Sequence, residues 1–273
     1  MSLFHHSPRS FTKLAPLALL AVGVAFPVTD ASAAVASVSL GTASSFAVLA
    51  GSGITNTGPT TIIGDVGTFP TVSETGFVSV TLIGTDHGGD AVTQQAKNDL
   101  TTGYNEAAGS GPAAAVATEL GGRTLTPGVY NSATLGVTGI LSLDALGDPE
   151  AVFIFQASST LITASASSVI VLNGAQACHV FWQVGSSATL GTSSHLVGTI
   201  LAATSITLTT GATVEGRVLA QTGAVTLDSN TVTNSSCLPT TTSTTSPASS
   251  TSAASSTVPV SRSEEHTSEL QSL

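Results

Sequence analysis

A short repeat in the second half of the chain restricts the fold more than any other feature. Ser142, Thr160, Thr189, Thr207 and Thr226 each stand immediately before a leucine, at Leu143, Leu161, Leu190, Leu208 and Leu227. The intervals are 18, 29, 18 and 19 residues, so one coil length recurs and a single insertion interrupts it. The register is tightest near the end of the array. There Leu196-Val197-Gly198-Thr199-Ile200-Leu201-Ala202 matches Val214-Glu215-Gly216-Arg217-Val218-Leu219-Ala220. A short period written in strand-forming residues predicts a β-solenoid with three short strands per coil, in which each coil buries its apolar side chains against the next. Stacked coils place equivalent side chains about 4.8 Å apart. The repeat therefore predicts a flat, rigid array of hydroxyl and methyl groups on the outside.

Composition supports this and excludes several functions. Charged residues are 8% of the chain, against about 25% in an ordinary soluble domain. Hydrophobic residues reach 41% but aromatic ones only 4%, and much of the remainder is Thr, Ser and Gly. Abundant β-branched residues favour strands over disorder. Between Ala34 and Cys237 the basic side chains are Lys97, Arg123 and Arg217 alone, within a chain of net charge −10. Three cations cannot neutralise a phosphate backbone, so no nucleic-acid partner is expected.

Residues 1–33 read as a secretion signal. Arg9 and Lys13 precede the apolar run Leu14 to Val28, and Ala31-Ser32-Ala33 or Ala34-Val35-Ala36 offers a small-residue cleavage site. The run is short for a membrane span, and Pro16 and Pro27 interrupt it. Export gives the two cysteines meaning: an oxidising exterior favours a bridge between Cys178 and Cys237, the alternative being two free buried thiols. The folded domain is expected over 36–237. From 238 to 261 the chain is almost wholly Thr, Ser, Ala and Pro, a flexible or glycosylated stalk with no means of building a core. Residues 262–273 break in style, read as translated sequencing adapter, and are set aside with the expectation that the natural C-terminus differs.

Within the domain, residues 37–84 show short strand patterns, residues 122–233 the coils, and residues 90–108 the one helix. Asp90 is the expected N-cap, with Val92, Ala96, Leu100 and Tyr104 as an apolar stripe. Val152-Phe153-Ile154-Phe155, Val180-Phe181-Trp182, Ile200-Leu201-Ala202 and Val218-Leu219-Ala220 are apolar on both alternating faces. One set must fill the solenoid and the other must be covered from outside, which the helix does. The threonine strands are then left exposed.

No catalytic grouping stands out, and the chain is not expected to be an enzyme. A polysaccharide-cleaving solenoid needs carboxylates with a cationic base in a groove. Asp144, Asp148 and Glu150 cluster, but Gly147-Asp148-Pro149 is turn chemistry, and the sequence assigns the cluster no calcium. His87, His179 and His195 are isolated in sequence. No cofactor is implied.

Several stretches resemble the microbial ice-binding-protein-like family. They are Ser45-Phe46-Ala47-Val48-Leu49-Ala50-Gly51, Thr55-Asn56-Thr57-Gly58-Pro59-Thr60, Leu125-Thr126-Pro127-Gly128-Val129-Tyr130, Gly147 to Gln156, Asn173 to Gly185 and Gly198-Thr199-Ile200-Leu201-Ala202. The resemblance covers nearly all of 36–233. It implies a mostly β fold: a discontinuous right-handed β-solenoid, triangular in section, with one long helix alongside and N-terminal coils out of sequence order. It also implies ice as the partner, met through a flat face of small residues and threonines. On this reading the contact residues are Ser142, Thr160, Thr189, Thr207 and Thr226, with a second rank at Thr163, Thr192, Thr210 and Ser229. The protein is then a secreted or surface-displayed monomer, attached to the cell envelope through a segment beyond the stalk. The competing reading is a cell-surface adhesion or structural solenoid without ice activity, since threonine pairs stabilise any parallel stack.

Overall fold

The structure is a computed structural model and describes residue 2 and residues 34–238. The expected secretion signal (1–33), stalk (238–261) and adapter-like tail (262–273) lie outside those residues, apart from Ser2 and Leu238.

Short strands, all paired in parallel, wind into a three-sided solenoid. One side is a seven-stranded sheet. The other two are joined in a 14-stranded sheet because His195–Ala202 and Thr213–Ala220 run round a corner. The corner is set by Gly198 and Gly216, stacked on each other with φ of 113° and 146°. A Cβ on Gly216 would meet the backbone oxygen of Gly198 at 2.0 Å, so only glycine turns here.

The chain does not fill the solenoid in sequence order. Phe46–Ala50, Gly53–Thr57 and Thr60–Ile63 form a coil that stacks on the last coil of the chain, through Val48↔Val218, Thr55↔Thr226 and Thr61↔Thr231. Asp65–Thr68, Glu74–Thr75 and Val80–Ile83 stack outside that coil. The helix Ala91–Gly109 then carries the chain to the opposite end, from which the remaining coils wind back. Its 19 residues span about 28 Å, and seven strands at about 4.8 Å span about 29 Å, so one helix reaches from end to end.

Asp90 caps the helix as expected, accepting from Thr93 N at 2.8 Å. The buried stripe is Thr93, Ala96, Lys97, Leu100, Gly103 and Ala107. Ala96 and Leu100 fall on it as expected. Val92, at 40% exposure, does not, and Tyr104 lies at its edge, half-buried. The reason is geometric: a four-residue spacing exceeds the 3.6-residue turn, so an i+4 series rotates off any fixed face. The helix covers Ile154, Phe181, Leu201 and Leu219, while Phe153, Phe155 and Trp182 point inward. Inside, Phe155 and Trp182 stack at 4.1 Å, and Trp182 Nε1 donates to Val197 O at 2.9 Å.

Two of the three cations expected in the domain are structural. Lys97 is buried against the solenoid and donates to the carbonyls of Ala220 and Gln221, with burial lowering its pKa to about 8. Buried Arg217 donates to Ser44 O at 2.8 Å, Thr199 Oγ1 at 3.3 Å and Ser235 O at 3.2 Å, and burial likewise lowers it to about 10. Of the lysines and arginines among the described residues, only Arg123 is exposed. Any anionic partner of the described residues thus meets one lysine or arginine. Cys178 and Cys237 are bonded, with Cα atoms 5.4 Å apart, inside the normal range for a bridge. The link ties the chain after the last coil to a rim 59 residues earlier.

Candidate functional site

The side that includes neither the helix-covered strands nor the cornering ones is the seven-stranded sheet, ordered Leu135–Val137, Leu161–Thr163, Ala188–Leu190, Ile206–Leu208, Ala224–Asp228, Gly53–Thr57 and Glu74–Thr75. Alternation along each strand sends one residue out and its neighbours in. Ala188, Leu190, Ile206, Leu208, Val225 and Leu227 are all buried, and Thr189, Thr207 and Thr226 face outward between them. Their registers are direct: Thr189↔Thr207, Thr207↔Thr226, Thr226↔Thr55 and Thr55↔Thr75. Five threonines therefore stand on five successive strands. Ile162 and Gly136 continue the row at its far end through Ile162↔Thr189 and Gly136↔Ile162. Buried leucine, isoleucine and valine beneath the strands from Leu135–Val137 to Gly53–Thr57 hold the row rigid.

Thr189, Thr207 and Thr226 form the centre of this row. Thr160 lies on the same side but one row over, because Leu161 pairs with Ala188 and so sets Thr160 beside Ser187. Ser205 and Ala224 extend that flanking row. The interval from Thr160 to Thr189 is two residues longer than the true register, Ile162 to Thr189; a slip of two keeps the face and changes the row. Ser142 stands elsewhere: its strand Ile140–Asp144 pairs with Thr124–Leu125 and Ser168–Leu172 on another side of the solenoid. Thr163 points inward at 5% exposure, donating to Ser194 Oγ and accepting from Gly191 N at 2.9 Å. It cannot present its hydroxyl outside. Thr192 and Thr210 are exposed in the turns that leave the face, and Ser229 is half-buried beside them, its φ of 56° and its hydroxyl turned to Asp228.

Thr55 and Thr75 are the row members that the repeat does not reveal. Gly53-Ile54-Thr55 has the right in–out alternation, but its partner strand lies about 170 residues away in sequence.

Charge is confined to the rim. Asp228 is bonded by the Thr210 and Ser229 hydroxyls. Glu119, at the far end, accepts from Gly121 N, Thr138 N and Thr138 Oγ1. Burial opposes ionisation there, but those three donors outweigh it and its pKa is lowered. At the other end Glu74 is raised to about 7, first by burial, then by the hydrogen bond and charge of Asp86. The central row carries no charge at all.

Elsewhere, Asp144 is occupied with Asn173 Nδ2 and Leu146 N, and Asp148 with Glu150 N, as turn residues are. Among the described residues the one cluster with three metal-ligating side chains is Cys178, His179 and Cys237, whose sulfurs are bonded to each other.

Comparison with known proteins places this architecture. A model of the family described as Ice-binding-like matches residues 48–233. An ice-binding protein of Nostoc sp. (strain HG1) is 51% identical over 221 residues, covering 80% of this chain and 82% of its own. One of Flavobacterium frigoris (strain PS1) is 37% identical over 212 residues, covering 72% and 76%. The crystal structure of an ice-binding protein from the Antarctic ascomycete Antarctomyces psychrotrophicus superposes with a TM-score of 0.71 at 45% identity, over 74% of this chain and all of that one. The chain belongs to the ice-binding-like family.

Proposed function

We propose that the domain binds ice, and that the contact is the seven-stranded side bearing Thr189, Thr207, Thr226, Thr55 and Thr75. The observation that carries this is the uncharged five-threonine row held in register on successive strands. Ice offers neither charge nor pocket, only a periodic lattice of water. A binder therefore needs a flat surface whose methyl groups and hydroxyls arrange first-layer water into that lattice. Charges would hold water in other arrangements, and here they sit at the rim. Rigidity lowers the ordering cost of adsorption, because the side chains are β-branched and their strands are packed from beneath. Thr160, Ser187 and Ser205 widen the plane, and Thr192 and Thr210 border it. One face of one copy suffices, so the active form is a monomer. The signal-like first 33 residues support a protein that works outside the cell, secreted or displayed. The reading requires no cofactor and no reaction.

The test is an ice recrystallisation assay on the domain. Inhibition at micromolar concentration or below supports the reading, and crystals that coarsen as they do in buffer would leave a solenoid for adhesion or structure instead.

A further inference from the structure

On the helix-covered side, one outward row reads Gln156, Gln183, Leu201, Leu219, Leu49 from coil to coil. The three leucines are fully buried under the helix. The two glutamines end the apolar ladder, with Asn131 next in register beyond Gln156, and they do different things. Gln156 Nε2 donates to Ala107 O at 2.8 Å and Ser110 O at 2.9 Å, closing the C-terminal end of the helix. Gln183 is 6% exposed, and its amide makes no hydrogen bond to another of the described residues. It opens instead into a cleft of about 740 Å³ between the C-terminal half of the helix and strands Gly128–Ser132, Phe153–Ala157 and Val180–Val184.

Tyr104, Asn131, Ser132 and Ser158 line the same cleft, and no charged residue does. The Tyr104 hydroxyl and the Asn131 side-chain amide likewise have no hydrogen-bond partner among the described residues. The cleft thus offers carbonyl acceptors, N–H donors, hydroxyls and one aromatic ring, without net charge. Its volume is that of a small-molecule site, and the Gln183 side chain, on an otherwise buried residue, lines it with a free donor and acceptor. We infer that this cleft binds a neutral oligosaccharide. Hydroxyls of an uncharged sugar both donate and accept, as Gln183 and Asn131 require, and a sugar ring's C–H face packs on a tyrosine. An anion would find no cation, and a cation no carboxylate. This site lies on a different side from the threonine row and does not depend on the ice reading.

The experiment is a ¹⁵N-resolved titration of the domain with maltotriose and, separately, mannotriose, against glucuronate as a charged control. The side-chain amide signals of Gln183 and Asn131 are expected to shift with at least one trisaccharide, saturably and in the millimolar range or tighter, and not with glucuronate. Gln183→Leu continues the row already written by Leu201 and Leu219, so it folds; it should weaken the sugar by about tenfold or more and leave recrystallisation inhibition unchanged. Tyr104→Leu supplies a second variant with the same expectation. Unshifted amides with both trisaccharides overturn the inference, as does wild-type affinity in both variants or a preference for glucuronate.

Discussion

Thr207 stands mid-row on the proposed contact side, with Thr189 and Thr226 on the adjoining strands. Seven strands at about 4.8 Å and two outward rows about 6.7 Å apart, bordered by the turns of Thr192 and Thr210, make a plane about 29 Å long. Thr207→Tyr raises one aromatic ring from the middle of that plane. Dispersion contacts lose a quarter to a half of their attraction when opened by only about 0.5–1 Å. The ring is several times thicker than that, and neither the strands nor the lattice can bend around it. Almost the whole plane is therefore held off, and the inhibiting concentration should rise at least about tenfold, equivalent to about 1.4 kcal/mol. The fold should not notice. The side chain points away from Ile206 and Leu208, and tyrosine suits a strand, so stability should stay within about 0.5 kcal/mol. Recrystallisation end-points and a thermal melt read the two effects separately. Full activity in a folded Thr207→Tyr domain would refute the assignment of this face.

Other expectations concern the frame. Opening the bridge with Cys237→Ser frees a 59-residue loop, worth about 4 kcal/mol by loop entropy, and should lower Tm by roughly 8–16 °C in a melt. Glu74 holds a folded-state pKa of about 7 against its ordinary 4.5, so the folded chain keeps a proton that the unfolded chain releases. Its contribution to stability is complete below 4.5 and is lost as pH rises through about 7; Tm should fall across that window, and Glu74→Gln should flatten the profile. Thr163→Val leaves the Gly191 N–H without its side-chain acceptor and should cost about 1–3 kcal/mol in denaturant unfolding, with ice activity intact because the hydroxyl points inward.

The architecture was legible in the sequence because a period near 18 and paired motifs such as Leu196–Ala202 and Val214–Ala220 report neighbouring coils directly. The disulfide and the Asp90 cap followed from local chemistry. The site was only partly legible. Thr189, Thr207 and Thr226 share one row because their coils are consecutive and undisturbed. Across the insertion, Thr-Leu recurs at Ser142–Leu143 and Thr160–Leu161 on other rows or sides, since the dipeptide marks any outward-then-inward pair and not a particular side. Thr163 shows the converse: the same residue type serves the interior where a turn amide needs an acceptor. Thr55 and Thr75 stayed hidden because the coil that contains Thr55 joins the array from the far end of the chain, a pairing that no local repeat encodes. The burial of Lys97 and Arg217 was not legible either: they are internal struts, because solenoid carbonyls and hydroxyls beneath the helix and the N-terminal segment satisfy them.

The central claim is that a folded domain meets ice through the threonine row. Ice-affinity partitioning tests it most directly: grow an ice front slowly through solutions of the wild-type domain, Thr207→Tyr and Thr231→Tyr, and measure protein in ice and in liquid. Thr231 is exposed on another side, in register with Thr213 and Thr61, and serves as the matched control. The account predicts that the wild type and Thr231→Tyr concentrate in the ice while Thr207→Tyr stays in the liquid. A wild-type domain left in the liquid, or a Thr231→Tyr variant excluded while Thr207→Tyr enters the ice, would contradict it.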